Sequence, residues 1–81
     1  MSIVSLTQDD LIVFIREGLN IDTPIDGETE LFSTGLLDSV SMVSLIGYIE
    51  EKVRITVQPS DVTLENFDSV QRIADYVRNL G

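Results

Sequence analysis

Two serines stand out as candidates for chemistry, because each lies in the same tripeptide, Asp-Ser-Val, at residues 38–40 and again at 68–70. A helical pattern follows both copies, so each aspartate is a candidate N-cap and each serine takes the first helical position. A helix start offers free N–H groups and partial positive charge, which suits a phosphate ester on a serine hydroxyl. Helix capping alone, however, explains both copies equally well. The tripeptide by itself is therefore weak evidence for a modified residue.

The surroundings of the two serines differ. Ser39 follows a long loop that closes with residues 32–37, Phe-Ser-Thr-Gly-Leu-Leu. Gly35 lets the backbone turn just before the helix and leaves the serine hydroxyl accessible. Ser69 follows a turn of only a few residues and begins a short helix close to the chain end. The context therefore favours Ser39 as the residue that carries chemistry.

The composition argues against an enzyme. The 81 residues form a single domain, 1–81, and include no cysteine and no histidine. Disulfides, thiolate metal sites and a cysteine nucleophile are thus excluded, and the usual general base is missing. A hydrophobic content of 43% is sufficient for a small core. We therefore expect a binding or carrying module.

The charge indicates which partners to expect. The formal net charge is -9, from 14 Asp and Glu against 5 Lys and Arg. Such a field repels nucleic acids and anionic membranes and favours partners with basic docking patches, although it can also serve solubility alone. The longest apolar run, 11–15, is too short to cross a bilayer, and Met1–Val4 lack the basic start of a signal peptide. We expect a cytoplasmic protein that binds neither nucleic acid nor membrane.

The first half of the chain predicts one helix and one long loop. Thr7 is the expected N-cap of a helix over residues 8–19, which Asn20 ends in the left-handed conformation. Residues 20–37 contain Pro24 and two glycines and should form an ordered loop with one helical turn. Its apolar side chains should anchor it on the helices: Ile21, Ile25, Leu31, Phe32, Leu36 and Leu37.

A second helix is predicted from Ser39 to about Arg54, with Asp38 as its N-cap. At 100° per residue its sequence separates into two faces. The face toward the core contains Met42, Leu45, Ile46, Ile49 and Val53. The outward face contains Val40, Ser44, Gly47 and Glu51, with Val43 near the border.

The C-terminal third predicts short elements and a last helix. Residues 55–57 should be an extended link rather than a strand, since a lone triplet has no partner. A turn at 59–61 and a short helical turn at 63–67 follow. Asp68 is the expected N-cap of the last helix, with Gln71 completing a capping box. The apolar stripe of that helix contains Val70, Ile73, Ala74, Val77 and Leu80.

The fold expected from these elements is all-α: a small four-helix bundle with three main helices, one short helix and a long ordered loop between helices 1 and 2. Residues 30–40 (Glu-Leu-Phe-Ser-Thr-Gly-Leu-Leu-Asp-Ser-Val) resemble the attachment segment of acyl and peptidyl carrier proteins. Residues 66–77 resemble the closing helix of that family, and the spacing of the two segments also fits. The resemblance covers essentially the whole chain.

This resemblance implies a discrete carrier protein whose Ser39 holds a covalently attached 4'-phosphopantetheine, added from coenzyme A by a phosphopantetheinyl transferase. Asp38 would serve as cap and as part of the transferase's recognition signal, and Ser69 would be a cap only. The arm would supply the thiol that this cysteine-free chain lacks and would hold acyl or aminoacyl groups as thioesters. Tethering turns delivery into docking and raises the effective concentration of the cargo. The carrier itself is not expected to catalyse a reaction, and a monomer suits repeated docking.

The outward face of the second helix departs from the strongly acidic pattern of fatty-acid-synthesis carriers. Val40, Val43, Ser44 and Gly47 form a largely uncharged patch, and carboxylates return only at residues 50 and 51. These four residues and Glu51 are the expected partner-docking residues. One interpretation of the uncharged patch is that partners dock through apolar contacts. Neutral drift on a solvated face is the other.

The Gly-Leu-Leu-Asp-Ser form at residues 35–39 is more similar to stand-alone carriers that accept a group from an adenylating ligase. Polyketide or nonribosomal-peptide-type biosynthesis is the favoured pathway class, with adenylating ligases, acyltransferases or ketosynthases as partners. Fatty acid synthesis and cell-wall D-alanylation stay open as alternatives. So does an unmodified helical adaptor.

A metal-binding regulator is a further alternative, because Asp22, Asp26, Glu28 and Glu30 cluster in the long loop. Their spacing lacks the order of a calcium-binding loop, and scattered acids on a loop are usually solvated. No metal site is predicted.

Overall fold

The computed structural model describes residues 6–80, and within them the chain is helical with no strand. Helix α1 (Gln8–Val13) continues into a π-helical turn (Phe14–Gly18). The others are α2 (Ser39–Val53), α3 (Leu64–Phe67) and α4 (Val70–Leu80), with a 3₁₀ turn at Pro59–Asp61 before α3. The predicted all-α bundle of three main helices and one short one is confirmed. Met1–Val4 lie outside the described residues.

The first helix begins as predicted but changes its winding. The Thr7 hydroxyl accepts a hydrogen bond from the Asp10 N–H at 3.0 Å, and the Asp10 carboxylate accepts one from the Thr7 N–H at 3.2 Å. After Val13 the helix widens into the π-helical turn, where the ring of Phe14 stacks on Tyr48 with centroids 4.3 Å apart. Asn20 has a φ of 62° and ends the segment, as expected. The predicted helix over 8–19 is therefore present, but only its first half is α-helical.

Helix α2 matches its prediction closely. The Asp38 carboxylate caps it, and Arg54 ends it in the left-handed conformation with a φ of 57°. Of the side chains predicted to face the core, two are fully buried and three are partly buried against them: Leu45 and Ile49, then Met42, Ile46 and Val53. The buried side of α2 forms one wall of the core. The opposite side of this helix therefore faces outward.

The long loop, residues 20–37, is anchored by its apolar side chains. Leu31 and Leu37 are buried, and the other four predicted anchors pack against the core. The helical turn expected in this loop does not form. Two hydrogen-bonded turns occur instead, in which the Thr29 N–H donates to the Asp26 carbonyl and the Gly35 N–H donates to the Phe32 carbonyl.

The predicted N-cap of the last helix, α4, is wrong by one residue. Asp68 is not its N-cap. Ser69 is, since its hydroxyl accepts from the Arg72 N–H at 3.1 Å. Gln71 completes no capping box; its backbone N–H donates to the Gly27 carbonyl at 2.9 Å. The helix begins one residue later than predicted because Asp68 binds the long loop instead.

The core gathers side chains from every helix and from the loop. Its fully buried members are Leu11, Ile15, Leu31, Leu45, Ile49, Phe67, Val70 and Ile73. Tyr76, which the apolar stripe of α4 omitted, is also buried and donates its hydroxyl hydrogen to Asp61 at 2.8 Å. Leu80, which the stripe included, is exposed. Within residues 6–80 no helix has both the length and the apolar character needed to span a bilayer.

Candidate functional site

Ser39 is the first residue of α2, and its side chain is exposed. Among residues 6–80 no hydrogen-bonding partner engages its hydroxyl. The two first-turn donors that follow are occupied, because the Ser41 N–H donates to the Asp38 carboxylate and the Met42 N–H donates to the Asp38 carbonyl, both at 2.9 Å. The N–H group of Ser39 has no such acceptor in this part of the chain, whereas the Val40 N–H contributes to lowering the pKa of the Asp38 carboxyl. An accessible hydroxyl thus lies at a helix end that favours negative charge.

Asp38 fixes this helix start electrostatically as well as geometrically. The backbone N–H of Ser41, followed by its side chain, lowers the pKa of the Asp38 carboxyl below its usual value. The residue next to Ser39 is therefore an exposed carboxylate at neutral pH. It stabilises the helix N-terminus, and it presents a negative charge to any basic partner that approaches Ser39.

The second Asp-Ser-Val is built differently. The side chain of Ser69 is only 6% exposed, and its hydroxyl already accepts the cap hydrogen bond from the Arg72 N–H. Modification of this serine would require both its exposure and the loss of the cap. The two copies are thus alike in sequence but opposite in accessibility.

Asp68, also 6% exposed, connects the second copy to the first. Its carboxylate accepts hydrogen bonds from the Phe32 N–H at 2.8 Å, the Ser33 N–H at 2.9 Å and the Ser33 hydroxyl at 2.7 Å. Burial raises the pKa of this carboxyl, but the hydrogen bonds from Ser33 and Phe32 together outweigh burial, so the net direction is downward. A buried carboxylate with three donors stays ionised and holds the loop.

The backbone closes the same loop. The Leu31 N–H donates to the Asp68 carbonyl at 2.7 Å, and the Leu37 N–H donates to the Leu31 carbonyl at 2.8 Å. The buried side chains of Leu31 and Leu37 anchor both ends of the segment in the core. Gly35, with a φ of 81°, makes the turn between them, as its position suggested. Residues 31–37 therefore form a closed loop that leads directly to Asp38 and Ser39.

The outward face of α2 is apolar near Ser39. Val40 is 73% exposed and Val43 is 70% exposed, and the other predicted docking residues, Ser44, Gly47 and Glu51, are also exposed. Glu50 does not contribute to this face, because its carboxylate accepts from the Val57 N–H at 2.8 Å. The outward face of α2 thus has fewer free carboxylates than the sequence pattern indicated.

Of the four acidic side chains in the long loop, that of Asp26 accepts hydrogen bonds within the loop itself. The Asp26 carboxylate accepts from the Glu28 N–H at 2.8 Å and from the Thr29 hydroxyl at 3.1 Å. Within residues 6–80 no group of three or more acidic side chains is arranged to hold a metal ion.

A small helical bundle that presents a free serine at the start of a helix has the architecture of a carrier domain. The sequence matches the family described as the phosphopantetheine attachment site over residues 9–77, and the chain belongs to this family. Its members are carrier domains, not catalysts, and hold a covalently attached 4'-phosphopantetheine. None of the curated proteins matches this chain.

The prosthetic group of the family fits the residues at one of the two candidate serines. Ser39 offers an accessible hydroxyl at a helix N-terminus, whereas the Ser69 hydroxyl is buried and already bonded. Sequence reasoning missed Asp68 and Ser33 as a pair. They lie 35 residues apart, so no local pattern could have connected them.

Proposed function

We propose that Ser39 bears the phosphopantetheine group, and that the chain carries acyl or aminoacyl thioesters in polyketide- or nonribosomal-peptide-type biosynthesis. The observation that carries the site assignment is the contrast between two identical tripeptides. One serine is exposed and free at the start of α2, and the other is buried as a cap. The family membership supports the carrier role.

Attachment at Ser39 is a phosphoryl-group transfer. The Ser39 oxygen forms a phosphoester bond with the pantetheine-linked phosphorus of coenzyme A, the pyrophosphate bond breaks, and the adenosine bisphosphate leaves. This chain has no histidine, and we assign the base that takes the hydroxyl proton to the transferase. The free N–H group of Ser39 and the helix dipole favour the negative charge of the phosphodiester. Once bound, the group supplies a flexible arm with a terminal thiol for the cargo.

The pathway class is proposed from the surface beside the arm. Val40 and Val43 project from the exposed face of α2. The first carboxylate that follows them on this face is that of Glu51. A partner can desolvate such a patch at lower cost than a row of carboxylates. This supports docking through apolar contacts, unlike the strongly acidic helices that the fatty-acid-synthesis carriers present.

The site assignment is tested by loading the wild-type protein and mapping the modification. After incubation with coenzyme A and a broad-specificity phosphopantetheinyl transferase, intact mass should rise by one phosphopantetheinyl group. Trypsin then separates the candidates, because Ser39 lies between Arg16 and Lys52 whereas Ser69 lies between Arg54 and Arg72. We expect the added mass on the peptide 17–52, and fragmentation should place it on Ser39. Modification of the peptide 55–72, or none on folded protein, would contradict the assignment.

The pathway class needs a separate test with the loaded protein. The holo form is offered in parallel to a malonyltransferase of fatty acid synthesis, to amino-acid-adenylating ligases and to a D-alanine ligase. We expect acylation by adenylating ligases for amino or carboxylic acids, detected as a thioester mass gain that hydroxylamine removes. Efficient malonylation with no ligase product would contradict loading by an adenylating ligase, and D-alanine alone would favour cell-wall modification.

Val43→Asp is expected to weaken docking without preventing arm attachment. A carboxylate at this exposed position disrupts an apolar contact but leaves the core intact, so the free energy of unfolding should change by no more than about 0.5 kcal/mol. For the enzyme that loads the wild-type holo protein, kcat/KM should fall about tenfold.

The matched control is Val13→Asp, which introduces the same charge at an exposed valine on α1. Transfer to the Val13 variant should resemble that of wild type. Equal kinetics for wild type and both variants would contradict the apolar docking surface.

A further inference from the structure

The three hydrogen bonds of the Asp68 carboxylate all end on Phe32 and Ser33, in the loop that leads to Ser39. None of them ends within α4, the helix that this aspartate was predicted to cap. Only five residues lie between Ser33 and Ser39, and the chain between them makes its turn at Gly35. The contacts therefore act on the backbone immediately before the exposed serine.

We infer that Asp68 is a positioning residue for arm attachment: its carboxylate, with Ser33, holds residues 31–37 in the shape in which Asp38 and Ser39 are presented to the transferase. This role rests on the proposed function of Ser39. The second Asp-Ser-Val is then more than a repeated helix start. Its serine caps α4, and its aspartate fixes the loop in front of the first copy.

The contacts separate this role from general stability. Leu31 and Leu37 anchor the loop in the core through apolar burial, and these anchors do not depend on the carboxylate. Ser33 is exposed and Phe32 is only partly buried, so water can reach their donors when the carboxylate is removed. Loss of the carboxylate should therefore loosen residues 32–36 while the bundle stays folded.

A loosened loop has a defined kinetic consequence. The transferase binds the fraction of carrier molecules whose loop has the competent shape, so apparent affinity falls in proportion to that fraction. Once bound, the loop is ordered and the chemical step is unchanged. The variants should thus have a raised KM for the carrier and a nearly unchanged kcat, which a change in overall stability alone does not produce at temperatures where the protein is folded.

The experiment compares Asp68→Ala, Asp68→Asn and Ser33→Ala with wild type. Transferase kinetics are measured on the full chain below the unfolding transition, and amide hydrogen exchange is measured across residues 31–37. Asp68→Ala should raise KM about tenfold, since it removes a charged acceptor of three hydrogen bonds. Asn keeps one acceptor oxygen, and Ser33→Ala removes a single bond, so both should give smaller rises. Exchange of the Phe32 and Ser33 amides should increase in the same order.

Two controls match these changes. Asp22→Asn makes the same chemical change at an exposed loop aspartate and should alter neither KM nor exchange. Ile73→Val removes a methyl group from the core, lowering stability by about 0.5–1.5 kcal/mol, and replaces no residue that takes part in the hydrogen bonds of the Asp68 carboxylate. It should leave KM unchanged, and so exclude a pure stability effect.

The outcomes separate this inference from the site assignment. Normal loading of Ser39 with wild-type KM in all three variants would overturn the positioning role and leave the attachment site intact. If Asp68→Ala does not fold, wild-type KM in the folded Asp68→Asn and Ser33→Ala variants would overturn it equally. Failure of wild type to load Ser39 would instead refute the proposed function. A rise in KM for Asp68→Ala, Asp68→Asn and Ser33→Ala but for neither control, with faster exchange at residues 32–33, would support the inference.

Discussion

Ser39→Ala is expected to fold like wild type and to gain no phosphopantetheinyl mass under conditions that load the wild-type protein completely. The Ser39 hydroxyl is exposed, has no hydrogen-bonding partner in residues 6–80, and is not part of the core. Alanine is well tolerated at a first helical position, so the free energy of unfolding should change by no more than about 0.5 kcal/mol. Thermal unfolding followed by circular dichroism checks the fold, and intact mass spectrometry checks the loading.

Two serine variants serve as controls for this result. Ser69→Ala removes the cap of α4 and should cost about 1 kcal/mol of stability, yet it should still be loaded. Ser60→Ala changes an exposed serine of the 3₁₀ turn before α3 and should affect neither property. A mass gain on the Ser39 variant would show that another residue accepts the arm. A loss of loading in the folded Ser69 variant would show that capping of α4 matters for attachment.

The sequence predicted those parts of the site that depend on neighbouring residues. Asp38 and Ser39 follow from local capping chemistry, since the acceptor and donor lie only three residues apart. The outward position of Val40 and Val43 follows from helical periodicity. Such interactions have the same geometry in any helix, so the pattern alone is sufficient to predict them.

The same local reasoning failed at Asp68, because a competing partner lies far away in the chain. A capping aspartate and a loop-binding aspartate have identical sequence neighbours, and the choice depends on which donors the fold brings near. Here the buried Asp68 carboxylate accepts three hydrogen bonds, two from the N–H groups of Phe32 and Ser33 and one from the Ser33 hydroxyl. A helix cap would offer it fewer. Ser69 then takes over as the cap.

Glu50 was misread for a related reason. The order of residues along the helix placed it in the returning acidic surface, but its carboxylate accepts a hydrogen bond from the Val57 N–H and ties the extended link to α2. The link has no strand partner among the described residues, so its backbone donors must find acceptors elsewhere. The Glu50 carboxylate on the preceding helix is such an acceptor, and its bond to Val57 removes that carboxylate from the outward face of α2.

Phe67→Ala is expected to destabilise the bundle by about 3–5 kcal/mol, the largest stability effect of the substitutions considered. Phe67 is a fully buried side chain on the four-residue helix α3, and its ring packs against Tyr76 with centroids 5.3 Å apart. Domains of this length have about 4–12 kcal/mol of stability, so the variant should approach or pass its unfolding midpoint near body temperature. Urea unfolding followed by circular dichroism measures the loss.

Leu64→Ala provides the matched comparison within the same helix. Leu64 is 52% exposed, so its truncation should cost less than about 1 kcal/mol. Comparing the two variants tests whether α3 stabilises the bundle through the buried Phe67 ring or only links the neighbouring segments of the chain. If Phe67→Ala cost no more than Leu64→Ala, α3 would be peripheral. Asp68 follows Phe67 directly, and its N–H donates to the Leu64 carbonyl, so a peripheral α3 would also weaken the support that this helix gives to Asp68.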